Sequence, residues 1–160
     1  MMVKNILIIR HCEAANDSPT RRDFDRALTD YGEEQAVRLG QHIKGLPLEL
    51  DAVYVSPAKR TMQTTTILSE QLTNQPRLMD AEELYEATDN VLKAAVNRFD
   101  PDFNTVALVG HNPSVSGLFS YLSREFCSFA TGTCAWISFE VDDWKALAGN
   151  TGTVKSVFEP

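Results

Sequence analysis

Apolar positions along this chain follow two rhythms. Consecutive apolar runs, "NILIIR" at 5–10 and "NTVALVGH" at 104–111, mark strands buried on both faces of a sheet. Elsewhere apolar residues recur at helical spacing. "DYGEEQAVRLGQHIKGLP" (30–47) places Ala36, Leu39, Ile43 and Leu46 on one stripe and stops at Gly45 and Pro47. "DAVYVSP" (51–57) reads as a second short strand closed by Ser56 and Pro57. From Ala58, residues Met62, Thr65, Leu68 and Leu72 continue a helical stripe despite three β-branched threonines. "RLMDAEELYEA" (77–87) is predicted to be a strand with a polar exit. "TDNVLKAAVNRF" (88–99) is predicted to be a helix capped by Thr88 or Asp89. Asn112 as cap and Pro113 in the first turn should start another helix running to about Arg124. "CAWISFEVD" (134–142) and "GTVKSVF" (152–158) close the chain as two strands joined by a turn around Gly149 to Gly152.

Strands alternating with helices predict an α/β fold: a three-layer α/β/α sandwich with a mainly parallel central sheet. No repeat, linker or low-complexity stretch divides residues 1–160, so a single domain is expected. In such sheets, ligands bind beyond the carboxyl ends of the strands. Three exits carry chemistry there. The first strand ends at Arg10-His11, the second leads through "SPAKR" to Arg60, and the "TVALVG" strand ends at Gly110-His111.

Composition narrows the reading. A net charge of −7 lacks the basic footprint of a nucleic-acid binder, but a cleft on an acidic protein can still focus positive potential on an anion. The three cysteines have no metal or disulfide spacing, and the three histidines have no ligand spacing, so neither a metal nor another cofactor is expected. The apolar run before Arg10 is too short for a signal peptide or a membrane span, and the protein is expected to be cytoplasmic. Two arginines and two histidines at strand exits suit phosphoryl transfer. The guanidinium fork matches phosphoryl oxygens, and an imidazole offers either a neutral nucleophilic nitrogen or a proton donor. His42 is expected to be a solvated surface residue, and Cys12 a small apolar filler. Arg21, Arg22 and Arg26 form either a solvated loop or a rim, with Arg26 ordering the loop through ion pairs.

Four strings in fixed order carry a resemblance: "RHCEA" (10–14), "DRALTDYGEEQA" (25–36), "VYVSPAKRTMQT" (53–64) and "LVGHNPSVSGL" (108–118). With them the chain resembles the histidine phosphatase superfamily, and within it the small SixA-like phosphohistidine phosphatases. The resemblance implies a phosphoglycerate mutase-like fold. It implies His11 as the nucleophile that takes the phosphoryl group, Arg10 and Arg60 as clamps on its oxygens, and His111 as a hydrogen-bond donor to them. Glu83 is the candidate proton donor, with Glu86 and Asp89 as alternatives, and Asn16 is a possible phosphate contact. Cys12 departs from the glycine common after the nucleophile. The partner so implied is a phosphorylated protein, such as a histidine-containing phosphotransfer domain, or a small phosphorylated metabolite. Two further functions remain open: a phosphoglycerate-mutase-like transferase, and a non-catalytic phosphate-binding module.

Overall fold

The computed structural model describes residues 3–160. Its strands are β1 (Lys4–Arg10), β2 (Ala52–Val55), β3 (Arg77–Asp80), β4 (Thr105–Gly110), β5 (Cys134–Phe139) and β6 (Thr153–Phe158). Its α-helices are α1 (Asp30–Lys44), α2 (Lys59–Glu70), α3 (Asp89–Asn97) and α4 (Ser114–Ser123). The strands form one sheet in the order β3-β2-β4-β1-β5-β6. Pairings among β3, β2, β4 and β1 are parallel, while β5 runs antiparallel to both β1 and β6. The sheet is mixed and mostly parallel, as expected.

The continuous apolar runs divide between two cores. Ile6 and Ile8 of β1, with Val106 and Leu108 of β4, pack with Leu92, Val96, Leu118 and Leu122 of α3 and α4. Leu7 and Ile9, with Ala107 and Val109, pack on the other face with Leu39, Ile43 and Leu68 of α1 and α2. Successive side chains of a strand point to opposite faces, so a strand between two helical layers must be apolar at every position. Between Ile6 and Ile9 β1 brings nothing polar into the sheet; its polar residues, Lys4, Asn5 and Arg10, lie at its two ends.

Three local expectations need correction. Asn112 does not cap α4: Pro113 occupies the cap position without a side-chain bond, and Asn112 Oδ1 instead accepts from Ser116 Oγ at 2.7 Å. The connection from β5 to β6 is more than a turn. It carries a 3₁₀ turn at Trp144–Ala146, where Trp144 is fully buried and donates Nε1–H to the Phe103 carbonyl at 2.9 Å. His42 is half-buried rather than freely solvated: its ring stacks on Phe158 at 4.0 Å between centroids, and partial burial lowers its pKa. Helical spacing places His42 beside the polar stripe of α1, but the closing strand folds back over it.

Candidate active site

Register brings the two histidines together. Arg10 of β1 pairs with Gly110 of β4, so His11 and His111 leave adjacent parallel strands side by side. Their ring centroids are 5.4 Å apart, with the planes tilted by 55°. The His11 N–H donates to the Gly110 carbonyl at 3.1 Å, extending the ladder one step past the strand. The next strand in the sheet adds Ser56, whose Oγ lies 2.8 Å from His111 Nε2.

The hydrogen bond of His11 decides its protonation. Nδ1 lies 2.7 Å from the Cys12 carbonyl, and a carbonyl can only accept. Nδ1 therefore carries the proton, and Nε2 presents a lone pair. Burial lowers the His11 pKa to about 4, against the opposing bond to Cys12, and the charges of Arg60, Arg10 and Arg26 lower it further. His111 is lowered to about 3, by burial first and then by Arg60. Both rings are neutral at neutral pH, which suits one as a nucleophile.

The arginines are fixed but not satisfied. Arg10 donates from one Nη to the Phe129 carbonyl at 2.8 Å, an acceptor shared with Asn112 Nδ2, also at 2.8 Å. Arg60 enters from the first turn of α2 and is 6% exposed. Its Nη atoms donate to the Asp23 carbonyl at 2.9 Å and to Asp23 Oδ2 at 3.1 Å. Three nitrogens of this group are buried without a partner: Arg10 Nε, Arg60 Nε and His111 Nδ1. Buried polar groups are nearly always paired, and three such orphans around one histidine pair, two of them on arginines, are groups an anion would complete. The group can hold phosphoryl oxygens on charge-assisted donors while His11 Nε2 faces phosphorus.

The motif strings also brace the segment that follows His11. The Cys12 N–H donates to Thr64 Oγ1 at 3.0 Å, and the Glu13 N–H donates to Gln35 Oε1 at 2.8 Å. Thr29 caps α1 by accepting from the Gly32 N–H at 3.0 Å. Gly32 passes so close to the Glu13 carbonyl that a β-carbon would not fit. Arg26 does order the loop, donating Nε–H to the Ala15 carbonyl at 2.6 Å and pairing with Asp23 at 2.8 Å. Cys12 is fully buried, and burial pushes its thiol up to about 11, so it fills space rather than supplying a thiolate.

The structure does not bring Glu83 or Asn16 into this group. β3 stops at Asp80, and a 3₁₀ turn over Glu82–Leu84 buries Leu84 and turns Glu83 outward, 3.8 Å from Arg98. The residue that does reach the site from this segment is Tyr85. Its ring lies edge-on to His111 at 5.7 Å, and its hydroxyl donates to Asp23 Oδ2 at 2.8 Å. Asn16 is exposed in the loop after His11 and bonds to none of the four residues. Ser56, Asp23 and Tyr85 went unread in the sequence. Ser56 lies inside a quoted motif, whereas nothing short of the folded chain marks the other two.

Asp23 joins Arg60, Arg26 and Tyr85 at one carboxylate. Partial desolvation acts to raise its pKa, but the hydrogen bonds from Tyr85, Arg26 and Arg60 outweigh it and hold the carboxyl well below the usual range. Tyr85 moves up, through desolvation and its bond to Asp23. Neither group gives up a proton near neutrality. No helix among the described residues is long and apolar enough to cross a membrane.

Comparison with known proteins agrees with this architecture. A solved structure assigned as the phosphohistidine phosphatase SixA of Nakamurella multipartitia superposes with a TM-score of 0.87 at 27% identity, covering 100% of this chain and 98% of that one. A protein histidine phosphatase SixA, solved with tungstate, shares the fold at a TM-score of 0.81 and 23% identity, over 97% and 96% of the two chains. The mitochondrial serine/threonine-protein phosphatase PGAM5 of Xenopus tropicalis is 36% identical over 69 residues. That match takes in 43% of this chain but only 24% of the relative, so the two proteins share a segment rather than their whole length. The profile of the histidine phosphatase superfamily, branch 1, matches residues 6–87, just over half of the chain, and includes Arg10, His11 and Arg60. The chain belongs to the histidine phosphatase superfamily and is SixA-like within it.

Proposed function

We propose that the chain is a phosphatase working through a phosphoryl group held on His11 Nε2, and that its substrate is a phosphohistidine side chain of another protein. The observation that carries this reading is the His11 bond to the Cys12 carbonyl, which leaves Nε2 bare in a group where Arg10 Nε, Arg60 Nε and His111 Nδ1 have no partner. Phosphohistidine phosphatase is the activity named for the Nakamurella relative, and tungstate, a tetrahedral oxyanion like phosphate, is the ligand of the other SixA structure.

The chemistry runs in two displacements. His11 Nε2 attacks phosphorus, and the bond from phosphorus to the leaving atom breaks, its electron pair departing with that atom. Arg10, Arg60 and His111 donate to the non-bridging oxygens as charge spreads over them. The Nδ1–H bond to Cys12 takes up positive character as the ring is phosphorylated. Water then attacks phosphorus from the vacated side, the P–N bond breaks onto His11, and phosphate leaves with the proton balance made by solvent.

The leaving group distinguishes the substrate classes. An alkoxide needs an acid, a contribution of about 10²–10⁴ in rate. An imidazole whose distal nitrogen already bears a proton departs neutral and needs none. The carboxylate felt by both Arg60 and His111 is Asp23, which stays ionised, and Glu83 points to Arg98. This favours the phosphoramidate over an alkyl phosphate, and hydrolysis over a mutase cycle that must return the phosphoryl group to an alcohol.

The test is phosphate release in excess EDTA from a histidine-phosphorylated protein, a chromogenic aryl phosphate and an alkyl phosphate. Expected is turnover of the first, weaker turnover of the second and little of the third, all abolished in His11→Ala. Binding of phosphate without turnover of any donor would point instead to a non-catalytic module. Turnover that survives His11→Ala would remove the nucleophile.

A further inference from the structure

Ser56 follows β2 and is fully buried, yet it belongs to none of the phosphate-facing groups. Its backbone is held from both sides. The N–H donates to the Val109 carbonyl at 3.2 Å, and the carbonyl lies 2.8 Å from Thr61 Oγ1, whose one proton it shares with the Ala58 carbonyl, also at 2.8 Å. Its hydroxyl therefore has a fixed origin, and the partners of Oγ decide its direction. The Ala58 N–H donates to Ser56 Oγ at 3.4 Å, and His111 Nε2 lies 2.8 Å away on the same oxygen.

Donor counting separates the two possible arrangements. In the first, His111 Nε2–H donates to Ser56 Oγ. That oxygen then receives two donors, its own proton has no acceptor, and His111 Nδ1 becomes a buried bare lone pair in the field of Arg60 and Arg10. In the second, Ser56 O–H donates to Nε2 and accepts from Ala58, so both its functions are used. His111 then carries its proton on Nδ1, as one of the three unpartnered donors of the site. Only the second arrangement satisfies the buried hydroxyl and offers an anion a donor rather than a lone pair.

We infer that Ser56 is a positioning residue that fixes His111 in the Nδ1–H tautomer and so presents a hydrogen-bond donor to the transferring phosphoryl group. This rests on the phosphatase reading of the pocket for its catalytic consequence, but the tautomer itself does not. Without the hydroxyl, His111 is free to turn its lone pair toward the anion, where it repels the equatorial oxygens. The loss should resemble that of one neutral hydrogen bond, about tenfold in rate.

The experiment has a part that requires no variant. In a long-range proton–nitrogen spectrum of the wild-type protein labelled with nitrogen-15, a protonated ring nitrogen is separated from a bare one by its shift. Expected for His111 is a protonated Nδ1 and a bare Nε2 at pH 7. A protonated Nε2 overturns the proposal whatever the activity shows. Ser56→Ala should then show a mixture of tautomers and a kcat about tenfold lower with KM changed less than threefold, beside a thermal midpoint lowered by only a few degrees for the unpaired Ala58 N–H. Ser56→Thr, which keeps the hydroxyl, should restore the wild-type tautomer and most of kcat. Full activity in Ser56→Ala, or equal loss in both variants, overturns the positioning role. Failure of the phosphatase reading is separately visible, as turnover surviving His11→Ala while His111 still shows the Nδ1–H tautomer.

Discussion

One strand carries a cation at each end, Lys4 buried and Arg10 half-buried, and the two are treated differently. Lys4, at the start of β1, is 1% exposed and donates all three of its protons: to the carbonyls of Pro101 and Phe103 at 2.8 Å and to Asn104 Oδ1 at 2.9 Å. Its charge is complete within the protein. Arg10, six residues later, has the Phe129 carbonyl on one Nη, while its Nε is buried with no partner. Burial of a charge is tolerated where hydrogen bonds replace its hydration. Lys4 meets that condition with the chain's own atoms, whereas Arg10 is left to meet it with something that arrives. The same contrast separates the two ends of the sheet: one is closed by internal bonds, the other holds donors in reserve.

The comparison is sharpened most by removing a cation from each end. Arg10→Met should lower kcat/KM for a phosphorylated substrate by about 10²–10³, the scale of a lost oxyanion donor, with the thermal midpoint nearly unchanged. Lys4→Met should do the reverse. It takes a donor from the Pro101 and Phe103 carbonyls and from Asn104 Oδ1, of which Phe103 keeps the Trp144 bond, a loss of about 2–3 kcal/mol that thermal unfolding would register as a midpoint lowered by about 5–10 °C, with kcat intact. If Arg10→Met unfolds the protein and Lys4→Met does not, the assignment of the two ends is inverted.

A smaller effect comes from pH. The folded pKa values of His11 and His111, about 4 and about 3, lie below the value of about 6.5 expected in the unfolded chain. Between those limits the unfolded state binds more protons, so stability is complete above pH 6.5 and declines as pH falls through the window. Urea titrations at pH 7 and pH 4.5 should show that decline, and His11→Gln should flatten it. An unchanged slope in His11→Gln would mean that the ring is not held neutral by its surroundings. The smallest effect is expected from Glu83→Gln, which should leave turnover within about twofold, because its carboxylate faces Arg98 at the surface. A tenfold loss there would restore Glu83 as the proton donor.

The contrast also explains what could be read without coordinates. β1 and β4 were legible because a strand between two helical layers must be apolar throughout, which makes Arg10, His11 and His111 conspicuous at the points where the runs stop. Arg60 was legible from its motif. The bonds that tune these residues were not, because each joins segments whose approach depends on the folded chain. Ser56 meets His111 across 55 positions, and Asp23 meets Arg60 across 37 and Tyr85 across 62. Glu83 was misplaced for a local reason. Reading 77–87 as a strand with a polar exit places Glu83 at that exit, but a 3₁₀ turn over Glu82–Leu84 intervenes, and a change of period redirects the side chains that follow. His42 failed in the opposite way: its helix was read correctly, but the late strand that covers it, through Phe158, was not included in the count.

The central claim is that a phosphoryl group passes through His11 Nε2. It is tested by mixing excess enzyme with a histidine-phosphorylated protein labelled in phosphorus, stopping the reaction within one turnover in alkaline detergent and mapping the label on the enzyme. Label on His11, bonded through Nε2 and missing from His11→Ala, is the expected result. Release of phosphate over the same interval with no label on His11, or with label on another side chain, would contradict it.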